Sequence, residues 1–250
     1  MIFRAKKGDF WAEKGVKCIF FEKKCQKICI CSRNSLNLHR FWNEENMNYL
    51  FFRAKLLPLG CFSIEQIGEY VPDYDRNSIT RWVKKGYLMK LRRGQYAFRE
   101  SAQDLDFSLM VAGQMVQPSY LSLQYALAHY GMIPSQNTQF TSVTTQKPAV
   151  YENALGVYSY RSIATHLYFG YQPHTLSNDR TYMLATPEKA LLDTLYLHPD
   201  YATEEGLAEL QLNEEFMKTQ LDENRLFEYL ARWKSPALST RVRTLMKHYY

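Results

Sequence analysis

The chain has 250 residues, 46% of them hydrophobic and 15% aromatic, with a formal charge of +6. That length and apolar content suit two modest folded domains and argue against a disordered chain. No stretch approaches the ~18 apolar residues of a membrane span, and the short apolar runs near the N-terminus, cut by lysines, do not make a signal peptide.

Charge is unevenly placed. Residues 1–100 hold 20 Lys/Arg against 10 Asp/Glu, whereas residues 101–250 hold 11 against 15. A basic front suits nucleic acid, and an acidic rear would repel it and could face a protein. Four of the five cysteines (Cys18, Cys25, Cys29, Cys31) lie in the first 31 residues. Their spacing lacks the paired C-x2-C of a zinc ribbon, so neither they nor His39 are read as a metal site. With only Cys61 beyond them there is no disulfide framework, and a reducing cytoplasm is the simpler setting.

Residues 1–46 show no sustained period of 3.6 or 2 and read as a poorly structured extension. Met47 opens a far better patterned stretch and reads as an alternative natural start; N-terminal mass spectrometry tests that. From there Leu50, Phe51, Ala54 and Leu57 have helical spacing, and Pro58 and Gly60 end the helix. Ser63 and Gln66 form a capping-box pattern opening a second helix, with Ile64, Ile67 and Tyr70 as its stripe. After a turn at Pro72-Asp73, Asp75 is a good N-cap for a third helix running to about Lys85, and Gly86 stops it.

That third helix separates into faces. Ile79, Trp82 and Val83 cluster on one side, and Arg76, Asn77, Thr80, Arg81 and Lys84 nearly opposite. Tyr87 to Leu91, then Arg92-Arg93-Gly94, then Gln95 to Phe98 read as strand, turn and strand. Helix, helix, helix, hairpin is the order of a winged helix-turn-helix, in which the third helix enters a major groove. Between Arg76 and Arg99 there are eight Lys/Arg residues and no acid. A solvated helix face usually intersperses acids with its bases. The groove-facing set is therefore Arg76, Asn77, Thr80, Arg81 and Lys84, with Lys85 on phosphate and Arg92 and Arg93 at the hairpin tip reaching phosphates or a minor groove. The alternative for the tip is edge protection by charge. Trp82 and Tyr96 read as core rather than as stacking residues.

Arg99 to Asp106 reads as a linker to an α+β domain over 107–250. Phe107 to Val116 is helical and apolar. A helix is expected from Pro118-Ser119, with Leu121, Tyr125, Leu127 and Ala128 as core and Gly131 as its stop. Phe140–Thr145, Val157–Ile163 and Thr181–Ala185 read as strands. Thr186-Pro187-Glu188 is a strong helix start, combining an N-cap, proline at the first position and an acid favoured by the dipole. Beyond Thr203 the chain looks helical, with one stripe at Leu221, Leu226, Phe227, Leu230 and Trp233 and another at Val242, Leu245 and Met246.

No catalytic set stands out. Glu188 and Asp193 are five apart, on different helix faces, and capping accounts for Glu188. The histidines make no metal-spaced pair, and there is no Gly-rich phosphate loop or G-x-S-x-G elbow. The many tyrosines beyond residue 107 suit core or interface equally.

The run SIEQIGEYVPDYDRNSITRWVKKGYLMKLRRGQYAF, followed by PSYLSLQYALAHYGMIP, FTSVTTQKP, GVYSYRSI and TPEKALLDTLY, resembles AbiEi-type antitoxins of type IV toxin–antitoxin systems over roughly residues 49–200. The resemblance implies a cytoplasmic DNA-binding autorepressor. Its winged helix would bind inverted repeats in double-stranded DNA of its own promoter. Its second domain would oppose a co-encoded toxin of nucleotidyltransferase fold, with no cofactor and no membrane partner. Residues 1–46 lie outside the pattern. The alternatives are a winged-helix regulator whose second domain senses a metabolite, and a nuclease carrying a winged helix.

Overall fold

Short apolar runs broken by Gly and Pro become, in the computed structural model, a mixed α+β structure. It describes residues 8–12, 16–23, 26–31, 49–72, 74–103, 105–134, 139–177 and 180–249. Two units divide the chain, residues 1–55 and 56–250. In the first, β1 (Gly8–Ala12), β2 (Val16–Lys23) and β3 (Gln26–Cys31) form an antiparallel meander, although no period announced strands there. Cys25, His39 and Met47 lie outside the described residues.

Helix α1 covers residues 49–56 and crosses the division between units. Its stripe differs in phase from the expected one: Phe52 and Leu56 are buried, while Leu50 and Phe51 are exposed. A short helix with apolar residues on most positions fixes its own phase poorly.

The second unit opens with β4 (Cys61–Ser63), α2 (Ile64–Tyr70), α3 (Arg76–Lys84), β5 (Leu88–Arg92) and β6 (Gln95–Phe98). The three strands form an antiparallel sheet in the order β4-β6-β5. Both helix starts follow the sequence. Ser63 Oγ accepts from the Gln66 amide and the Gln66 side chain accepts from the Ser63 amide, and Asp75 accepts from the Asn77 amide at 2.9 Å. Asp73, expected in the intervening turn, lies outside the described residues. Of the α2 stripe only Ile67 is buried; Ile64 and Tyr70 are exposed.

After α4 (Leu105–Met115) comes a six-stranded mixed sheet. Its strands are β7 (Ser119–Leu121), β8 (Gln139–Thr144), β9 (Ala149–Asn153), β10 (Gly156–Ser162), β11 (Tyr171–Thr175) and β12 (Thr181–Ala185), in the order β11-β12-β7-β8-β10-β9. The expected helix from Pro118 is corrected: residues 119–121 are a strand between β12 and β8, and α5 (Leu123–His129) begins only after Ser122. A three-residue strand buried on both faces shows no alternation, so its place in the sheet overrides the local pattern.

Register assigns the faces of this sheet. Tyr120 lies opposite Val143 and reaches α6 (Pro187–Leu197), whereas Tyr160 lies beside Ser142 and its hydroxyl donates to the Ala112 carbonyl of α4 at 2.7 Å. Helices α4 and α6 therefore cover opposite faces. Tyr158 also donates to α4, at the Ser108 carbonyl, and Tyr120, Tyr158 and Tyr160 are all at most 1% exposed. These tyrosines serve the core, each hydroxyl having a partner. Helices α7 (Glu204–Glu209), α8 (Glu214–Thr219), α9 (Glu223–Trp233) and α10 (Pro236–Tyr249) complete the unit. Leu226, Leu230, Trp233, Val242, Leu245 and Met246 are buried as expected, but Phe227 is 42% exposed. No helix among the described residues is long and apolar enough to cross a membrane.

Candidate nucleic-acid interface

Helix α3 has the two-faced character that its sequence requires. Ser78, Ile79 and Trp82 are buried, while Arg76, Asn77, Thr80, Arg81 and Lys84 are all exposed on the other side. Val83, expected beneath, is only half-buried, and Ser78 takes a buried place instead. Burial of Ile79 and Trp82 fixes the helix's rotation, so the basic set has no freedom to turn inward. Lys85 caps the helix, exposed, and Gly86 follows at φ +75°.

Two side chains order this surface. Asp75 caps α3, and its other oxygen accepts from Arg81 Nη2 at 3.4 Å; the same nitrogen donates to Ser78 Oγ at 2.8 Å. Arg81 thus lies back over the first turn of α3, half-exposed, with its direction defined. An exposed ion pair of this kind adds little stability, but it limits the guanidinium to few rotamers.

The hairpin separates its two arginines. Arg93 and Gly94 form the turn, Gly94 at φ +78°, where a side chain would be strained. The Gly94 carbonyl accepts from the Ile64 amide at 3.0 Å, which fastens the turn to the start of α2. Arg93 is exposed. Arg92, expected at the tip, is instead the last residue of β5 and pairs with Gln95. Its Nε donates to Gln95 Oε1 at 2.8 Å, and its guanidinium lies 5.8 Å from the centre of the Tyr151 ring. It is half-buried against β9 rather than presented with Arg93.

This contact belongs to a larger seam. Cys61 Sγ donates to Gln114 Oε1, Gln95 Nε2 donates to the Gln114 carbonyl, and Asn153 Nδ2 donates to the Leu91 carbonyl at 3.2 Å. Cys61, Met89, Leu91 and Ala97 of the small sheet share one apolar core with Met110, Met115 and the large sheet. Burial pushes the Cys61 thiol up to about 12, so it stays protonated and poorly nucleophilic. The expected linker after Phe98 therefore does not free the hairpin, which is packed on the body that follows. Trp82 is core, as its spacing implied, and Tyr96 is half-buried.

A second polar constellation escaped the sequence reading. Lys189 and Asp193 form an ion pair on α6, both side chains fully buried. The other Asp193 oxygen accepts from Tyr120 Oη at 3.0 Å and Ser122 Oγ at 2.8 Å. Lys189 Nζ sits 4.5 Å from the centre of the Trp233 ring, 5.2 Å from Phe169 and 5.4 Å from Tyr120. Burial drives Lys189 down and Asp193 up from their ordinary values, opposed by their mutual attraction and by hydrogen bonds to the carboxylate. Gly170, at φ +73°, closes the cage; a Cβ there would come within 3.0 Å of the Tyr229 ring and 3.1 Å of Lys189. Glu188 is buried too, and it does not act as a simple helix-start acid: it accepts from the Asp222 amide at 3.3 Å and faces Arg225 at 3.8 Å, tying α6 to the start of α9. Glu188 and Asp193 do point to different partners, as their spacing required.

Among known proteins, no family model matches the chain and no curated protein matches it.

Proposed function

We propose that the chain is a winged-helix DNA-binding autorepressor and the antitoxin of a type IV toxin–antitoxin operon. The observation that carries the DNA-binding part is the exposed basic face of α3, which holds no acid beyond its Asp75 cap. Its opposite face is locked into the core, and a basic turn stands beside α2. In this reading the order α1, α2, α3, hairpin is that of a winged helix. Arg76, Arg81 and Lys84 draw α3 to the phosphates whatever the sequence. Asn77 and Arg81 then supply the bidentate pairings suited to adenine and guanine, and Thr80 a further contact. Lys85 and Arg93 hold the backbone on either side, while Arg92 positions the hairpin. Repression follows from occlusion of the promoter, and the function involves no catalysis.

The antitoxin part rests on the resemblance of the motifs from residue 118 to residue 196. The body from α4 onward would oppose a co-encoded nucleotidyltransferase-like toxin. A reporter fused to the DNA upstream of the gene tests the regulator reading. Expression of the chain is expected to lower reporter output severalfold, and the double variant Arg76→Ala/Arg81→Ala to restore it. Unrepressed output with the wild-type chain contradicts the reading.

A further inference from the structure

One cavity has aromatic walls. It measures about 390 Å³ and is bounded by α5, the start of β8, the turn around residue 201 and the residue pair after α7. That is the lower end of the ~300–1,000 Å³ range of small-molecule sites, enough for one ring system and a sugar. Three rings line it, Tyr125, His129 and Tyr201, together with three carboxamides, Gln124, Gln139 and Gln211. Among the described residues none of those carboxamide groups makes a hydrogen bond. Gln211 is also one of three non-glycine residues at positive φ among the described residues, at +49°.

The lining decides the chemistry. A carboxamide offers a donor beside an acceptor, the pattern on the edge of a nucleobase, and aromatic rings offer stacking that any base can use. Among the described residues Glu209 is the one carboxylate in the wall, and neither Lys nor Arg lines it. His129 is held below its ordinary value by burial and by the neighbouring His174, so it adds no cation at neutral pH. A phosphate would find no positive partner and one repelling charge. We infer that this cavity is a binding site for an uncharged nucleoside, its base stacked on Tyr125, His129 or Tyr201 and its edge read by Gln124, Gln139 and Gln211. This goes beyond the DNA-binding reading and does not depend on it.

Isothermal titration calorimetry of the full chain with adenosine, guanosine, AMP and glucose tests the inference. At least one nucleoside is expected to bind saturably, with a dissociation constant on the order of 0.1 mM, and AMP is expected to bind at least about tenfold more weakly than adenosine where adenosine is the ligand. Tyr201→Ala should weaken nucleoside binding by about tenfold through lost stacking. Gln139→Ala, which removes no internal hydrogen bond, should weaken it while leaving the thermal melt unchanged. Absence of saturable binding by either nucleoside overturns the inference, as does binding of glucose in their place. Nucleoside binding unaffected by both variants places the ligand elsewhere and overturns it equally.

Discussion

Replacing Asp193 by alanine is expected to destabilise the chain by about 3–5 kcal/mol, because it strands the Lys189 ammonium in a fully buried site. For a unit of this size that is a fall in melting temperature on the order of 10 °C. Tyr120 and Ser122 would lose their acceptor at the same time. Asp193→Asn keeps an oxygen for those hydroxyls and should cost less, while still leaving the charge unmatched. The double variant Lys189→Met/Asp193→Leu removes both charges and should recover much of the loss, since an apolar replacement of a buried pair is often neutral or better. The three aromatic rings around Nζ already provide apolar walls for the methionine. Thermal melts of the four proteins by circular dichroism check this. A loss below 1 kcal/mol for Asp193→Ala would mean that the site is open to water.

The second large effect is on DNA. Arg81→Ala should weaken binding to the native operator by ~1–3 kcal/mol, with much less effect on scrambled DNA, because Arg81 is assigned to a base edge. Lys85→Ala should weaken both alike and lower the salt slope by about one unit. Ser78 and Asp75 hold the Arg81 guanidinium over the first turn of α3 in the free protein. Asp75→Asn should therefore free the arginine and reduce discrimination, while the asparagine still caps the helix. Unchanged operator affinity in Arg81→Ala would remove Arg81 from the reading surface.

The sequence was most informative where one residue type does one local job. Ser63, Asp75 and Thr186 each cap a helix that starts where they place it, and Pro187 occupies the first turn. The two faces of α3 were legible because its charged and apolar residues are cleanly separated. Other features depend on distant partners. Strand β7 exists because β8 and β12 flank it, and nothing within Ser119-Tyr120-Leu121 says so. Strands β9 and β11 went unread at the sheet's edges, where β11 contains Pro173. Arg92 and Arg93 are neighbours of like charge, yet the strand ends between them: Arg92 closes β5 against Tyr151, and Arg93 opens the turn to solvent. A signal for the Lys189–Asp193 pair was present: the two residues stand four apart in a helix otherwise rich in Ala and Leu, which places them together on a buried face.

The most direct measurement is equilibrium binding of the full chain to DNA from upstream of its own gene and to a scrambled duplex of equal length, across a salt series. Tighter binding to the native duplex is expected at every salt concentration. The log–log slope is expected to be about −4, from some four phosphate contacts by Arg76, Lys84, Lys85 and Arg93. Equal, weak binding to both duplexes would contradict it and leave the basic face of α3 as a solvated surface.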